Sequence, residues 1–175
     1  MFYVVTAGHG GGAPGNTWGG YHEADLMTEL RFLVALKLRE AGHVVKEDGL
    51  RGENWSLRDA MLLVGGADLA IELHTNASSN PTAEGVEVLA ESNRSDEAKR
   101  IARAIGSVLQ IPTRRQEGWY PHAEYVRARK QSAGFVRVGG LIVETFFQSN
   151  PHELRVYQER KWLVASAIAR AVMHK

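Results

Sequence analysis

The chain has 175 residues, 44% hydrophobic and 23% charged, which suits one globular domain with its own core and leaves no room for a second full one. It contains no cysteine, so disulfides, thiolate metal sites and a cysteine nucleophile are excluded, and any metal site must use His, Asp and Glu. Lysine and arginine number 21 against 20 aspartates and glutamates, a balance that argues against a nucleic-acid partner held by bulk electrostatics.

The amino terminus has neither a basic n-region nor a long apolar h-region, so no secretory signal is expected and synthesis in the cytoplasm follows. The apolar stretches Phe32 to Leu36 and Ala60 to Leu73 are short or broken by Gly65, Gly66 and Asp68, far below the ~20 residues of a bilayer span. Phe2 to Thr6 is β-branched and aromatic and predicts a first strand, followed by a glycine-rich loop from Gly8 to Gly20. Between Glu23 and Ala41, Leu26, Leu30, Leu33, Val34 and Ala41 recur at helical spacing, and Gly42 supplies the stop. His43 to Glu47 predicts a second strand, and Ser56 can cap a short helix running to Val64. Asp68 to His74 reads as a strand.

Beyond the polar turn Asn76 to Ala83, Gly85 to Ala90 predicts another strand. A helix follows from Ser95, with Ala98, Ile101, Ala102, Ile105 and Leu109 on its apolar face and Pro112 closing it. Thr113 to Ala133 is irregular, mixing arginines with Trp119 and Tyr120. Ala133 to Val138 and Leu141 to Thr145 read as two strands, and Pro151 opens a final helix striped by Leu154, Tyr157, Val164, Ala165, Ile168 and Val172. This alternation predicts a single α/β domain whose twisted, mostly parallel or mixed sheet is covered by helices on both faces.

Gly10, Gly12 and Gly15 satisfy the spacing of a dinucleotide-binding loop, but Pro14, Gly15, Gly19 and Gly20 postpone the helix to about Tyr21, whereas that motif needs the helix to open within the loop. Ligands in open α/β sheets bind at the carboxyl ends of strands, where His9, His74 and Glu144 fall. Glu23 joins them in the first turn of the long helix, where the dipole favours a carboxylate. Two imidazoles and a carboxylate form a known catalytic zinc set, and a second carboxylate can then act as general base. His22 competes with Glu23 for such a role, and His43, His122, His152 and His174 dilute any argument from histidine alone. Glu144 stands out locally, because a carboxylate between Leu141-Ile142-Val143 and Phe146-Phe147 is costly to bury without a partner or a task.

Ala7-Gly8-His9-Gly10-Gly11, Glu23 before the Leu-rich helix, Ala67-Asp68 leading to Leu73-His74-Thr75-Asn76-Ala77, Gly85-Val86-Glu87, and Ile142-Val143-Glu144-Thr145-Phe146-Phe147-Gln148-Ser149-Asn150-Pro151 together resemble the zinc-dependent N-acetylmuramoyl-L-alanine amidases, the type-three amidase family of cell-wall hydrolases. The resemblance runs in order from residue 3 to about 172. It implies zinc bound by His9, Glu23 and His74, catalysis by Glu144, and peptidoglycan as substrate, cut between N-acetylmuramic acid and L-alanine. Three positions depart from the family's usual pattern: Thr6-Ala7 before Gly-His, Lys46-Glu47 after the second strand, and Glu72 where a small residue normally lies two before the second histidine. By strand alternation Glu72 shares a face with His74 and can enter its surroundings.

The lack of a signal and of a wall-binding module resembles a compact phage endolysin, a single catalytic domain expected to act as a monomer without membrane insertion. In Thr113 to Ala133 the arginines and aromatics suit sugar stacking and pairing with peptide carboxylates, or simply a solvated loop. A zinc peptidase or N-acyl amino acid hydrolase with the same ligands, and a noncatalytic wall-binding module, are the rival readings.

Overall fold

The structure, a computed structural model, describes residues 1–174. In chain order its elements are β1 (Phe2–Ala7), β2 (Thr17–Trp18), β3 (Tyr21–His22), α1 (Glu23–Glu40), β4 (Val44–Glu47), α2 (Leu57–Leu63), β5 (Leu69–Asn76), β6 (Glu87–Ala90), α3 (Ser95–Leu109), β7 (Trp119–Pro121), α4 (His122–Arg129), α5 (Gly134–Arg137), β8 (Leu141–Phe147) and α6 (Pro151–Met173). The main sheet has six strands in the order β4-β1-β5-β8-β6-β7. Its pairings are parallel except between β6 and β8.

Local chemistry sets the helix ends. Glu23 and Asp25 lie in the first turn of α1 and Lys37 and Arg39 in its last, matching the helix dipole at both ends. The Ser56 hydroxyl accepts from the Asp59 N–H to start α2, while the Asn150 side chain accepts from the His152 and Glu153 N–H groups with Pro151 at the first helical position of α6. α3 stops at Gln110, which takes a left-handed conformation with φ 59°.

Strand alternation divides the core. Tyr3, Val5, Ala7, Leu69, Ile71, Leu73, Leu141 and Val143 pack with α1, α3 and α6. The intervening Val4 and Ala70 meet Ala60, Val64 and Phe135 from α2, its C-terminal end and α5, and Leu89 meets Tyr120 and Val136. One face is therefore thickly covered and the other thinly. The side chains of Glu72, His74 and Glu144 have the alternation of the thinly covered face and lie toward the carboxyl ends of their strands.

Two expectations change. Ala133 to Val138 is not a strand: Gly134–Arg137 is a short helix. The apolar run was too short for periodicity to separate strand from helix, and a Cβ at Gly140 would lie 2.3 Å from the Phe135 ring, so the chain folds back over its own glycine. Thr113 to Ala133 is more ordered than it reads, holding β7 and α4. β2 lies in the glycine loop and pairs with β3 just after it, and α1 begins at Glu23, where the helical spacing of the sequence starts it.

Candidate metal centre and active site

The parallel pairing of β5 with β8 puts His74 opposite Glu144, and the antiparallel pairing of β6 puts Glu87 opposite Glu144 on the other side. His74, Glu144 and Glu87 thus form a row across three strands. His9 follows β1 with φ 60°, an uncommon left-handed conformation for a residue with a side chain. Glu23, fully buried, comes from the start of α1. Ligand atoms of His9, Glu23 and His74 all lie within 4.8 Å of one another.

Both oxygens of Glu23 are engaged. Oε1 accepts from the Thr75 N–H at 2.8 Å and lies 3.1 Å from His74 Nδ1, while Oε2 accepts from the Asn16 N–H at 2.9 Å and lies 3.2 Å from His9 Nε2. Burial alone would raise this carboxyl, but its hydrogen bonds with His74, His9 and the Asn16 N–H outweigh that and hold it below the usual range. On the far side of the His74 ring, Nε2 is 2.7 Å from Oε1 of buried Glu72. Burial opposes a charge on His74, but Glu23, Glu72 and Glu144 draw its pKa well above the ordinary value.

Glu144 differs from these neighbours. Its Oε2 is buried with no hydrogen-bond partner among the described residues, and such an atom ordinarily costs stability. Burial raises the Glu144 carboxyl to about 7; His74 pulls down, while Glu23 and Glu87 push up. Around the two imidazoles, Glu23, Glu72 and Glu144 supply more negative charge than the histidines can match. A cation is the natural complement, and these N and O donors fit a divalent metal.

The glycine loop exists to let these groups close together. A Cβ on Gly8 would sit 2.2 Å from His74 Cε1, and one on Gly15, where φ is +68°, would sit 2.7 Å from Glu23 Oε2 and the His9 ring. Close approach of backbone to side chains explains the glycines without a dinucleotide. An open groove of about 560 Å³ begins at His9 and runs along Asp25, Thr28 and Phe32 to Arg51 and Asn54; Glu144 and His74 are not in its walls.

A family model described as N-acetylmuramoyl-L-alanine amidase matches residues 4–174. The chain belongs to this amidase family. Among solved structures, a proposed N-acetylmuramoyl-L-alanine amidase from Neisseria meningitidis is 35% identical, covering 98% of this chain and 93% of its own at a TM-score of 0.87. The catalytic domain of an endolysin targeting Clostridia difficile is 25% identical, with 100% and 98% coverage and a TM-score of 0.75. An amidase of Nostoc punctiforme, 23% identical with 99% and 95% coverage, shares the fold at 0.78. No curated protein matches the chain significantly. The enzyme is an amide hydrolase with N-acetylmuramoyl-L-alanine amidase activity on peptidoglycan, which displaces the rival readings of a soluble-substrate hydrolase and a noncatalytic module.

Of the histidines outside the centre, His22 faces Thr17, His43 packs edge-on against Tyr3, and His122 is tied to Glu91. In the sequence Glu87 stands out only as the end of the Gly85-Val86-Glu87 motif. Its place opposite Glu144 depends on an antiparallel pairing that no local pattern reveals.

Proposed function

We propose that this amidase is zinc-dependent, with His9, Glu23 and His74 holding the ion and Glu144 acting as general base. The observation that carries the reading is the buried, unpartnered Glu144 Oε2 on the strand position paired with His74. When bound, zinc supplies Lewis-acid polarisation of the scissile carbonyl and a lowered pKa for the attacking water. Glu144 takes a proton from that water at its free oxygen and delivers it to the nitrogen of the departing L-alanine, so no covalent enzyme intermediate is required. The Asn16 and Thr75 N–H groups fix the Glu23 carboxylate. Glu72 accepts from His74 Nε2, leaving Nδ1 toward Glu23 as the ligating atom.

The described residues include no helix long and apolar enough to cross a membrane. Likeness to an endolysin catalytic domain favours a lytic role at the wall, with the whole chain working as one monomeric catalytic domain. Incubating zinc-loaded protein with purified peptidoglycan should free new L-alanine amino termini without new reducing sugar ends, and a chelator should abolish the release. Chelator-resistant release would overturn the metal assignment.

A further inference from the structure

The mechanism leaves unused a second charged cluster beside Glu144. Glu87, 5% exposed, accepts from Asn76 Nδ2 at 3.1 Å, Arg115 Nε at 2.8 Å and Arg114 Nε at 3.2 Å. One carboxylate thus holds two guanidinium groups, leaving a net positive charge. Because β6 and β7 run opposite to the other strands, their first residues and the turn before β7 lie at the end of the sheet that carries His74 and Glu144. Directly opposed residues on antiparallel strands have Cβ atoms about 5 Å apart, so the cluster adjoins the reacting centre.

Arg115 is prepared for a partner it does not have. Its guanidinium carbon lies 3.5 Å from the Tyr120 ring centroid, and only its Nε donates; neither terminal nitrogen has a hydrogen-bonding partner among the described residues. Glu87 at one edge and Tyr120 on one face fix the plane, leaving a two-pronged donor edge of the kind that binds carboxylates in bidentate fashion. Arg114, by contrast, also donates to the Glu84 carbonyl and lies 4.8 Å from the Phe147 ring centroid. The backbone holds Arg115 at φ 50° and Glu117 at φ 58° in a tight turn, where the Gly118 N–H donates to the Arg114 carbonyl. A Cβ on Gly118 would come within 2.2 Å of the Ala102 Cβ, so the turn is pinned on α3. Left-handed conformations at non-glycine residues are retained where surrounding structure overdetermines them, often at ligand clamps.

We propose that Arg115, supported by Glu87 and Tyr120, binds a carboxylate of the peptide stem and so selects substrates whose stem carboxylates are free rather than amidated. The inference rests on the proposed placement of the reacting amide at Glu144. Arg115 is a specificity residue, and its contribution falls on substrate binding.

The test uses the zinc-loaded 175-residue chain and a muramoyl tetrapeptide, with its carboxylates either free or converted to amides. Wild-type protein should show a KM roughly ten- to a hundredfold lower for the free form, the range of a charge-assisted bidentate contact. In Arg115→Ala that preference should vanish, with kcat and zinc content near wild type; Arg115→Lys should recover part of it. Glu87 keeps Arg114 and Asn76 in either variant, so the fold should survive, as thermal unfolding would check. Calorimetric binding of both peptides to Glu144→Gln, with and without Arg115→Ala, reads the same preference without turnover. An unchanged preference in Arg115→Ala, or equal weakening toward both peptides, would overturn the proposal. Continued turnover by Glu144→Gln would instead overturn the general-base assignment while leaving the Arg115 comparison readable.

Discussion

Two groups of buried charge share β1 as a neighbour, and they are finished differently. Arg31 and Asp48 are both fully buried, joined at 2.8 Å. Arg31 also donates to the carbonyls of Leu50 and Glu53, with Glu47 3.4 Å from its Nε, while Asp48 accepts from the Ala7 N–H. Arg31 and Asp48 offset each other's charge within the chain, the Arg31 Nε facing Glu47 as an ion pair without a hydrogen bond, and the pair ties α1 to the segment after β4. Around His74, three carboxylates converge on two imidazoles, and a Glu144 oxygen has no hydrogen-bond partner among the described residues. Buried charge that balances internally is architecture; buried charge left in excess, with an unpartnered acceptor, points to a ligand and a reaction.

The sharpest way to break this contrast is to neutralise one charge in each group. Glu144→Gln should lower hydrolysis of peptidoglycan by about 10²- to 10⁴-fold while elemental analysis shows zinc retained and unfolding shows no loss of stability. Retained activity would put Glu144 among structural charges. His9→Ala or His74→Ala should instead lose zinc, and full stoichiometric zinc in either would refute the ligand set. Arg31→Met should act on the other side of the contrast, leaving Asp48 buried without its cation and destabilising the fold by about 3–5 kcal/mol in denaturant titration. A shift below about 1 kcal/mol would show that the pair does not hold α1 in place.

Asp48 also allows a pH test. Burial pushes its carboxyl from 3.8 up to about 6, against the pull of Arg31. The folded value lies above the unfolded one, so the folded state holds more protons between them. This group's contribution is therefore fully present below about pH 3.8 and is lost as pH rises through about 6, by about 3 kcal/mol. Subtracting the stability curve of Asp48→Asn from that of wild type should expose this decline. A flat difference would mean that Arg31 fully offsets the cost of burying the charge.

The two groups were unequally legible in the sequence. His9, His74 and Glu144 could be singled out because each closes a predicted strand, and Glu23 because it opens the long helix. Arg31 and Asp48 gave no such signal: they meet across a loop, and neither helical nor strand periodicity marks a buried ion pair. Glu87 was hidden for a related reason, since its neighbour Glu144 is chosen by an antiparallel register, and no local pattern says which pairing of a mostly parallel or mixed sheet is antiparallel. The six residues Ala133 to Val138, with Arg137 among them, carry too little periodicity to separate helix from strand, and the cause of the helix at Gly134–Arg137, the fit of Phe135 over Gly140, is tertiary.

Glu72 tests where the boundary between the two groups runs. It is buried like Asp48 and lies 2.7 Å from His74 Nε2, but the family resemblance calls for a small residue at its position. If it only fills space, Glu72→Gln should leave metal affinity unchanged, because glutamine retains both the volume and an acceptor oxygen. If its charge strengthens His74 as a ligand by accepting the Nε2 proton, the variant should bind zinc about ten- to a hundredfold more weakly in competition with a chromophoric chelator. Activity at saturating zinc should fall much less, since Glu144 and its free oxygen are untouched. The split between metal affinity and turnover separates an orienting carboxylate from a catalytic one, and a loss of turnover with unaltered zinc affinity would move Glu72 into the proton-transfer machinery beside Glu144.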